Sequence, residues 1–276
     1  MSILDVHGLC KQYPGFALNN VSFSLEPGQI VGFIGRNGAG KTTTLKAMLQ
    51  MIRPDAGSVS FFGLPFEAHQ QEIKQRIGFV TGGVDYYPGK RLRQIFRVTR
   101  PFYDNWDDAL CERYLSQFHL DEQKTPKQLS AGMRVKFALA LALSHHAELL
   151  ILDEPTSGLD PISRDEVLDI LLELADEGVT ILFSTHITSD LDRCADRILY
   201  LRDGSLAADA PLRDFVSSYR LVSLEDGQTI PPELIGCKRA KSGYTGLVRT
   251  PAPSTLRTRE ATLDEIMVHL EKEGNA

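Results

Sequence analysis

Residues 35–42 read Gly-Arg-Asn-Gly-Ala-Gly-Lys-Thr and match the phosphate-binding pattern G-x-x-x-x-G-K-[ST] at every fixed position. The apolar run Ile30–Ile34 precedes them, and a helix-like stretch, residues 43–49, follows. This order of strand, loop and helix is required because backbone N–H groups of the loop and of the helix N-terminus point at phosphate oxygens. The stretch therefore predicts a site for a nucleoside triphosphate.

Two side chains of this stretch have separate roles. Lys41 places a cation beside the β- and γ-phosphates, and the hydroxyl of Thr42 can bind Mg²⁺. The residues predicted to contact the nucleotide here are Gly35, Asn37, Gly38, Ala39, Gly40, Lys41, Thr42 and Thr43.

Composition excludes several classes of protein. The chain has 276 residues, 42% hydrophobic and 24% charged, enough for one large domain and an appendage. The net charge of −6 gives no reason to expect nucleic-acid binding. The four scattered cysteines include no C-x-x-C pair, which favours free thiols in a reducing compartment over metal or disulfide roles.

Neither a signal peptide nor a membrane span is expected. The first residues lack a basic segment followed by an apolar one. The longest apolar stretch, residues 137–143, is far shorter than the ~18 residues that cross a bilayer. Any work at a membrane is therefore expected to go through a separate partner.

The spacing of apolar residues predicts a parallel α/β core. Residues 149–152 form a continuous apolar run, typical of a strand buried on both faces. Residues 162–177 have helical spacing, and residues 179–183 return as a strand. Shorter strands are predicted at 21–25, 58–63 and 77–80, and a hairpin over 198–207.

The region from about residue 85 to 146 has helical spacing and few β-branched runs, so we interpret it as an inserted helical subdomain. Beyond residue 215 the spacing of apolar residues predicts no clear helix or strand, apart from a helix-like stretch at 263–270. We therefore divide the chain into a nucleotide-binding domain, residues 1–215, and a C-terminal extension, residues 216–276.

A pair of acids follows the buried strand at 149–152. Asp153 at the end of such a strand is expected near the Mg²⁺ that Thr42 also contacts. Glu154, one residue further, can activate an attacking water as a general base. An apolar run followed by Asp is a weak signal alone, but behind a phosphate-binding loop it is persuasive.

A third element lies between these two, at residues 129–133, Leu-Ser-Ala-Gly-Met. Ser130 is a good N-cap for the helical run after it, and an ordinary capped helix would explain it in isolation. Its position between the phosphate-binding loop and the acid pair changes this interpretation. Here the chain resembles the ATP-binding subunit of ATP-binding-cassette (ABC) transporters, over roughly residues 1–210.

The resemblance rests on six motifs in a fixed order. The phosphate-binding loop, the signature (Ser130, Ala131, Gly132 and Met133) and the strand ending in Asp153 and Glu154 are joined by three more. These are the D-loop, residues 157–160 with Asp160, the switch histidine His186, and the aromatic Tyr13 before the first core strand.

The resemblance implies an ATPase with a particular fold. It implies a mixed core sheet flanked by helices, an N-terminal antiparallel β part and the inserted helical subdomain. ATP and Mg²⁺ are held by Lys41, Thr42 and Asp153. Glu154 is the base, and His186 senses the γ-phosphate. Adenine stacks on Tyr13, with Phe16 as the second choice.

The resemblance also implies partners. Ser130 and Gly132 would contact the γ-phosphate of ATP held by a second copy of the domain, in a head-to-tail homodimer or heterodimer. A separate integral membrane subunit would move the substrate, in the direction of export. The chain would then lie at the cytoplasmic face of the cell membrane.

Two departures from the family pattern stand out. The signature has Ala131 and Met133 where Gly and Gln are common. The family also has a Gln just after the strand at 77–80, whereas this chain has Thr81, Gly82 and Gly83. Asp85 or solvent would have to substitute for that Gln.

Two other classes of function compete with a transporter subunit. A non-transport ABC ATPase, acting with soluble assembly or repair partners, would share all six motifs. Translation factors of this type carry two cassettes, and repair proteins a long coiled-coil insertion, and this chain has neither. A GTP-dependent switch is disfavoured because no N-K-x-D or T-K-x-D motif is present.

Overall fold

A computed structural model describes residues 2–81, 87–253 and 255–273 of the chain. Its strands are β1 Leu4–Tyr13, β2 Phe16–Leu25, β3 Ile30–Ile34, β4 Ala56–Phe61, β5 Leu64–Pro65, β6 Ile77–Thr81, β7 Leu149–Asp153, β8 Thr180–Thr185, β9 Arg197–Arg202, β10 Ser205–Pro211, β11 Tyr219–Leu224, β12 Ile235–Ala240, β13 Gly243–Arg249 and β14 Thr258–Glu260. Its α-helices are α1 Lys41–Met48, α2 Gln70–Arg76, α3 Leu92–Thr99, α4 Asp108–Gln117, α5 Ala131–Leu143, α6 Pro161–Asp176, α7 Thr188–Cys194, α8 Leu212–Ser217 and α9 Leu263–Glu273.

A six-stranded sheet with the order β10-β9-β3-β8-β7-β6 forms the centre of the ATPase part. Its strands run parallel except β10, which pairs antiparallel with β9 at one edge. In β7, Leu149 and Ile151 pack into one hydrophobic cluster, and Leu150 and Leu152 into another. Side chains alternate between the faces of a strand, so both faces are covered. The mixed core sheet is confirmed.

An antiparallel sheet with the order β2-β1-β4-β5 covers one face of the central sheet, together with α1. Strand β1 pairs with β2 and β4 on its two sides. Its buried residues Leu4, Val6 and Leu9 share a cluster with Phe33 of β3 and Leu45 of α1. The expected N-terminal antiparallel part is confirmed, and it seats α1 against the sheet.

Helices cover the other face of the central sheet. The apolar stretch at 137–143 lies within α5, where every one of its residues is buried. This helix packs against β6 and α6. In the described residues between β6 and β7, helices α3, α4 and α5 and two short 3₁₀ turns occur without a strand. Among the described helices, none is long and apolar enough to cross a membrane.

The C-terminal extension contains a sheet that the sequence patterns did not predict. Its strand order is β12-β13-β11-β14, all antiparallel. Helix α8 spans the predicted boundary at residue 215. Helix α9, predicted at 263–270, packs on β12 and also on α7 of the ATPase part. Tyr200 of β9 donates a hydrogen bond to Glu271 at 2.8 Å, which ties α9 to the central sheet.

Candidate functional site

The loop between β3 and α1 depends on its glycines. Gly38 and Gly40 have φ angles of 86° and 110°, where residues with a Cβ are strained. At Gly35 a Cβ atom would lie 2.4 Å from the carbonyl oxygen of Leu201 in β9, so the neighbouring strand leaves no room for one. These constraints explain the spacing of glycines in the loop.

Lys41, the first residue of α1, is only 5% exposed. Its Nζ donates hydrogen bonds to the carbonyl oxygens of Gly35 at 2.7 Å and of Arg36 at 3.4 Å. The same Nζ lies 3.3 Å from Oε1 of Glu154. The cation is therefore held inside the curve of the loop, where phosphate oxygens are expected.

Asp153 ends β7 beside α1. Thr42 Oγ1 donates to its carboxylate, at 2.9 Å from Oδ2 and 3.1 Å from Oδ1. Ser184 Oγ, on the adjacent strand β8, donates to Oδ1 at 2.7 Å. Two hydroxyl groups thus orient the buried carboxylate, and Thr42 and Asp153 are brought together as predicted.

Glu154 lies between two basic side chains. Its Oε1 contacts Lys41, and its Oε2 accepts a hydrogen bond from His186 Nδ1 at 2.7 Å. The nitrogen is the donor, because a carboxylate only accepts. Glu154 has a φ of 53°, a backbone state that costs about 1–3 kcal/mol at a residue with a side chain. The backbone N–H of Glu154 donates to Ser184 O at 3.1 Å and so helps to hold this conformation.

These groups line a cleft of about 580 Å³ at the carboxyl ends of β3 and β7. The lining residues are Gly15, Phe16, Arg36, Asn37, Gly38, Gly40, Lys41, Thr42, Thr43, Glu154, Ser157 and His186. Ligands of α/β sheets bind at this end of the strands. A second cavity, of about 640 Å³, lies at the amino ends of β7 and β8, where its Arg76 and Arg113 are already paired with Glu148 and Glu177.

The two candidate adenine-stacking residues flank the turn between β1 and β2. Tyr13 and Phe16 are register partners. Phe16 lines the cleft, and Tyr13 is not among its lining residues in the described part of the chain. Tyr13 is 37% exposed, with Lys11 Nζ 5.6 Å from its ring centroid. The geometry favours Phe16, the second choice from the sequence.

The signature begins α5, away from the cleft of its own chain. Ser130 caps the helix, its Oγ accepting from Met133 N at 3.2 Å. Ser130 and Ala131 are exposed, whereas Gly132 is buried, and a Cβ there would lie 2.8 Å from Cβ of Ser163 in α6. None of these residues lines the cleft within the described structure.

Asp160 of the D-loop caps α6. Its Oδ1 accepts from the backbone N–H groups of Ile162 at 3.1 Å and Ser163 at 3.0 Å. The hydrogen bond with the Ser163 side chain, followed by that from the Ser163 backbone N–H, lowers the pKa of Asp160. The starts of α5 and α6 are thus packed together through Gly132 and Ser163.

Sequence reasoning missed several residues of the site. Ser184 orients Asp153 and follows an apolar strand, so its polar position at the strand end could have indicated it. Ser157 and Arg36 line the cleft. Buried Asp190 accepts from Thr156 Oγ1 at 2.6 Å and ties α7 to the segment after Glu154. Burial raises the pKa of Asp190. No local sequence pattern predicts the contact between Asp190 and Thr156.

The donor set suits Mg²⁺. Thr42 offers a hydroxyl and Asp153 a carboxylate, both hard oxygen ligands. The described residues contain no group of three or more His, Cys, Asp or Glu side chains that could hold a metal alone. Magnesium commonly takes one or two protein ligands and completes its shell with substrate phosphates and water. The site therefore fits a metal that arrives with the nucleotide.

The position of the absent glutamine falls at a boundary of the described structure. Thr81 is the last residue of β6 and is described. The residues that follow it lie outside the described structure, among them Gly82, Gly83, Asp85 and Tyr86. Asp85 is the residue that would substitute for the family's glutamine.

Comparison with known proteins identifies the family. The family model described as "ABC transporter" matches residues 18–157. The chain is 32% identical over 219 residues to the ABC transporter ATP-binding protein YtrB of Bacillus subtilis, covering 79% of this chain and 75% of YtrB. It is 33% identical over 214 residues to the bacitracin transport ATP-binding protein BcrA of Bacillus licheniformis, covering 76% and 70%.

A third relative is the Nod factor export ATP-binding protein I of Burkholderia orbicola, 34% identical over 215 residues, with 75% of this chain and 71% of that protein covered. A solved ATP-binding subunit of an ABC transporter aligns with a TM-score of 0.70 at 29% identity, over 77% of this chain and 91% of that one. The chain belongs to the ABC transporter family, in which it is an ATP-binding subunit that hydrolyses ATP.

Proposed function

We propose that the cleft between β3 and β7 binds ATP with Mg²⁺ and that Glu154 is the general base of hydrolysis. The observation that carries this proposal is the position of Glu154, whose carboxylate contacts both Lys41 and His186. Phosphate oxygens would compete with Glu154 for Lys41, which frees one carboxylate oxygen to accept a proton from water.

His186 orients Glu154 in this mechanism. Its hydrogen bond to Oε2 leaves Oε1 to face the cleft. Thr42 and Asp153 would hold the metal, which when bound neutralises charge on the β- and γ-phosphates. Lys41 and the loop N–H groups would position the nucleotide, because a glycine-rich loop that leads into a helix N-terminus binds phosphate groups.

The roles of Lys41 and Glu154 are separable by substitution. Glu154→Gln keeps the shape of the side chain but removes proton acceptance, so turnover should fall ~10²–10⁴-fold while ATP still binds. Lys41→Ala should instead weaken ATP binding. Turnover is measured by phosphate release, and affinity with a fluorescent ATP analogue. Wild-type turnover in Glu154→Gln would contradict the assignment.

We further propose a head-to-tail dimer with two shared sites. Ser130 and Ala131 are exposed at the start of α5, and neither lines the cleft of its own chain in the described structure. A capped helix N-terminus attracts anions, so the γ-phosphate on a second copy is a fitting partner. The dimer could pair two copies of this chain or one copy with a related subunit.

A separate membrane subunit is the proposed partner for transport. Val98 of α3 and Phe102 of the 3₁₀ turn after it are apolar side chains that are 51% and 74% exposed. BcrA and the Nod factor protein are named for bacitracin transport and Nod factor export. The Nod factor relative supports export as the proposed direction. Docking at the cytoplasmic face of the cell membrane belongs to the same proposal.

Co-purification tests the membrane partner. A tagged chain isolated from detergent-solubilised membranes should retain a multi-span membrane protein, and Phe102→Asp should lose it without loss of ATP binding. Ile230→Asp, at a 44% exposed apolar residue of the C-terminal extension, is the matched control and should retain the partner. Recovery of soluble assembly proteins alone would instead favour a non-transport ABC ATPase.

A further inference from the structure

Three register partners form a polar row at the carboxyl ends of adjacent strands. Thr81 of β6 pairs with Asp153 of β7, and Asp153 pairs with Ser184 of β8. Residues paired directly in a parallel sheet lie about 4.8 Å apart and project to the same face. The hydrogen bond from Ser184 to Asp153 confirms this for two members of the row. Thr81 is placed on the remaining side of Asp153.

The Thr81 hydroxyl differs from the other two members in one respect. Its Oγ1 is buried and has no hydrogen-bond partner within the described structure. Ser184 is bonded to Asp153, and Asp153 also accepts from Thr42. A buried hydroxyl without a partner is destabilising, so such atoms in native proteins call for an explanation.

A ligand in the cleft supplies that explanation. Asp153 and Thr42 together offer few oxygen atoms, so most of the magnesium shell must be water and phosphate. Water ligands of magnesium are strong donors and need acceptors around them. Thr81, beside Asp153 in the row, offers such an acceptor without being charged. Partners of this kind commonly change metal affinity by about 10–100-fold.

We infer that Thr81 is a positioning residue of the magnesium site, whose hydroxyl binds a water ligand of the metal next to Asp153. This inference rests on the proposed binding of Mg²⁺ with ATP. It assigns to a strand residue of this chain a function on the metal side of the cleft, where the family's glutamine is absent and residues 82 and 83 are glycines.

The test measures the affinity of a fluorescent, non-hydrolysable ATP analogue in Mg²⁺ and in EDTA, and takes the ratio. Thr81→Val removes the hydroxyl at nearly constant volume and should lower this ratio roughly 10-fold, with the EDTA affinity unchanged. Thr81→Ser keeps the hydroxyl and should match the wild type. The control Thr245→Val makes the same substitution on a half-buried strand residue of the C-terminal sheet, and should also match.

The outcomes separate this inference from the proposed function. If the wild type itself shows no gain in affinity with Mg²⁺, the proposed metal role fails. If the wild type shows the gain and Thr81→Val retains it in full, Thr81 has no part in the site. Should Thr81→Val lose affinity in EDTA through misfolding, Thr81→Ala takes its place, and a wild-type ratio there overturns the inference.

Discussion

At the scale of single residues, the chemistry of the site depends on which atoms the loop and strand ends bring together. Glu154 contacts Lys41 and His186 through different oxygens, and Asp153 is oriented by two hydroxyl groups. Both acids are therefore fixed by neighbours from other elements.

We expect Phe16 to stack on adenine. Its ring lines the cleft, whereas Tyr13 is outside the lining residues. Phe16→Ala should weaken ATP affinity about 5- to 150-fold, since stacking of a base on an aromatic ring contributes about 1–3 kcal/mol. Tyr13→Ala is the matched control and should titrate like the wild type in a nucleotide-binding assay. Impaired binding in Tyr13→Ala with normal binding in Phe16→Ala would reverse the assignment.

The phosphate-binding loop and the acid pair could be predicted from the sequence because their chemistry is local. Eight consecutive residues carry the loop, and two carry Asp153 and Glu154. The choice between Tyr13 and Phe16 was not local. The two residues are register partners in one hairpin, and only the packing of that hairpin beside the loop shows that Phe16 lines the cleft.

At the scale of elements, long-range packing decides what sequence patterns leave open. The central strands were predictable because each is buried on both faces and reads as an apolar run. The C-terminal strands are shorter or partly exposed, and β12 is covered by α9 from far along the chain. His269 of α9, whose Nδ1 lies 2.6 Å from the carbonyl oxygen of Gly236, shows how that cover is fixed.

A buried histidine joins α2, α5 and the segment between α3 and α4. His145 follows α5, lies 3.0 Å by Nδ1 from the Gln75 carbonyl oxygen, and stacks on Tyr103 at 3.8 Å between ring centroids. Burial lowers the pKa of His145 from 6.5 to about 4. The unfolded chain thus binds a proton at this histidine more readily than the folded chain does. The stability that the neutral, buried His145 contributes is therefore present above about pH 6.5 and declines as the pH falls towards 4.

This linkage predicts a measurable loss of stability in acid. Between neutral pH and pH 5 the wild type should lose about 2 kcal/mol of its free energy of unfolding through His145. His145→Phe keeps a ring against Tyr103 but does not titrate. It should be less stable at neutral pH and show a smaller decline, as measured by urea unfolding at both pH values. Equal declines in the two proteins would rule out His145 as the cause.

At the scale of the whole molecule, the proposed mechanism requires two chains for one complete site. The signature and the D-loop are packed together at the starts of α5 and α6, and the signature does not line the cleft of its own chain in the described residues. In the proposed dimer, Lys41 and Ser130 of the same chain therefore belong to different sites, and each site combines Lys41 of one chain with Ser130 of the other. Defects in the two residues should then complement each other between chains.

Mixing two inactive variants tests this claim most directly. In a mixed dimer of Lys41→Ala and Ser130→Arg chains, one site carries both defects and the other is intact. Phosphate release from the mixture should therefore exceed the sum of the two variants measured alone. A mixture of Lys41→Ala with Glu154→Gln leaves a defect in each site, so it is the control and should restore nothing. If the Lys41→Ala and Ser130→Arg mixture, with its membrane partner supplied, also restores nothing, the shared site is contradicted for two copies of this chain.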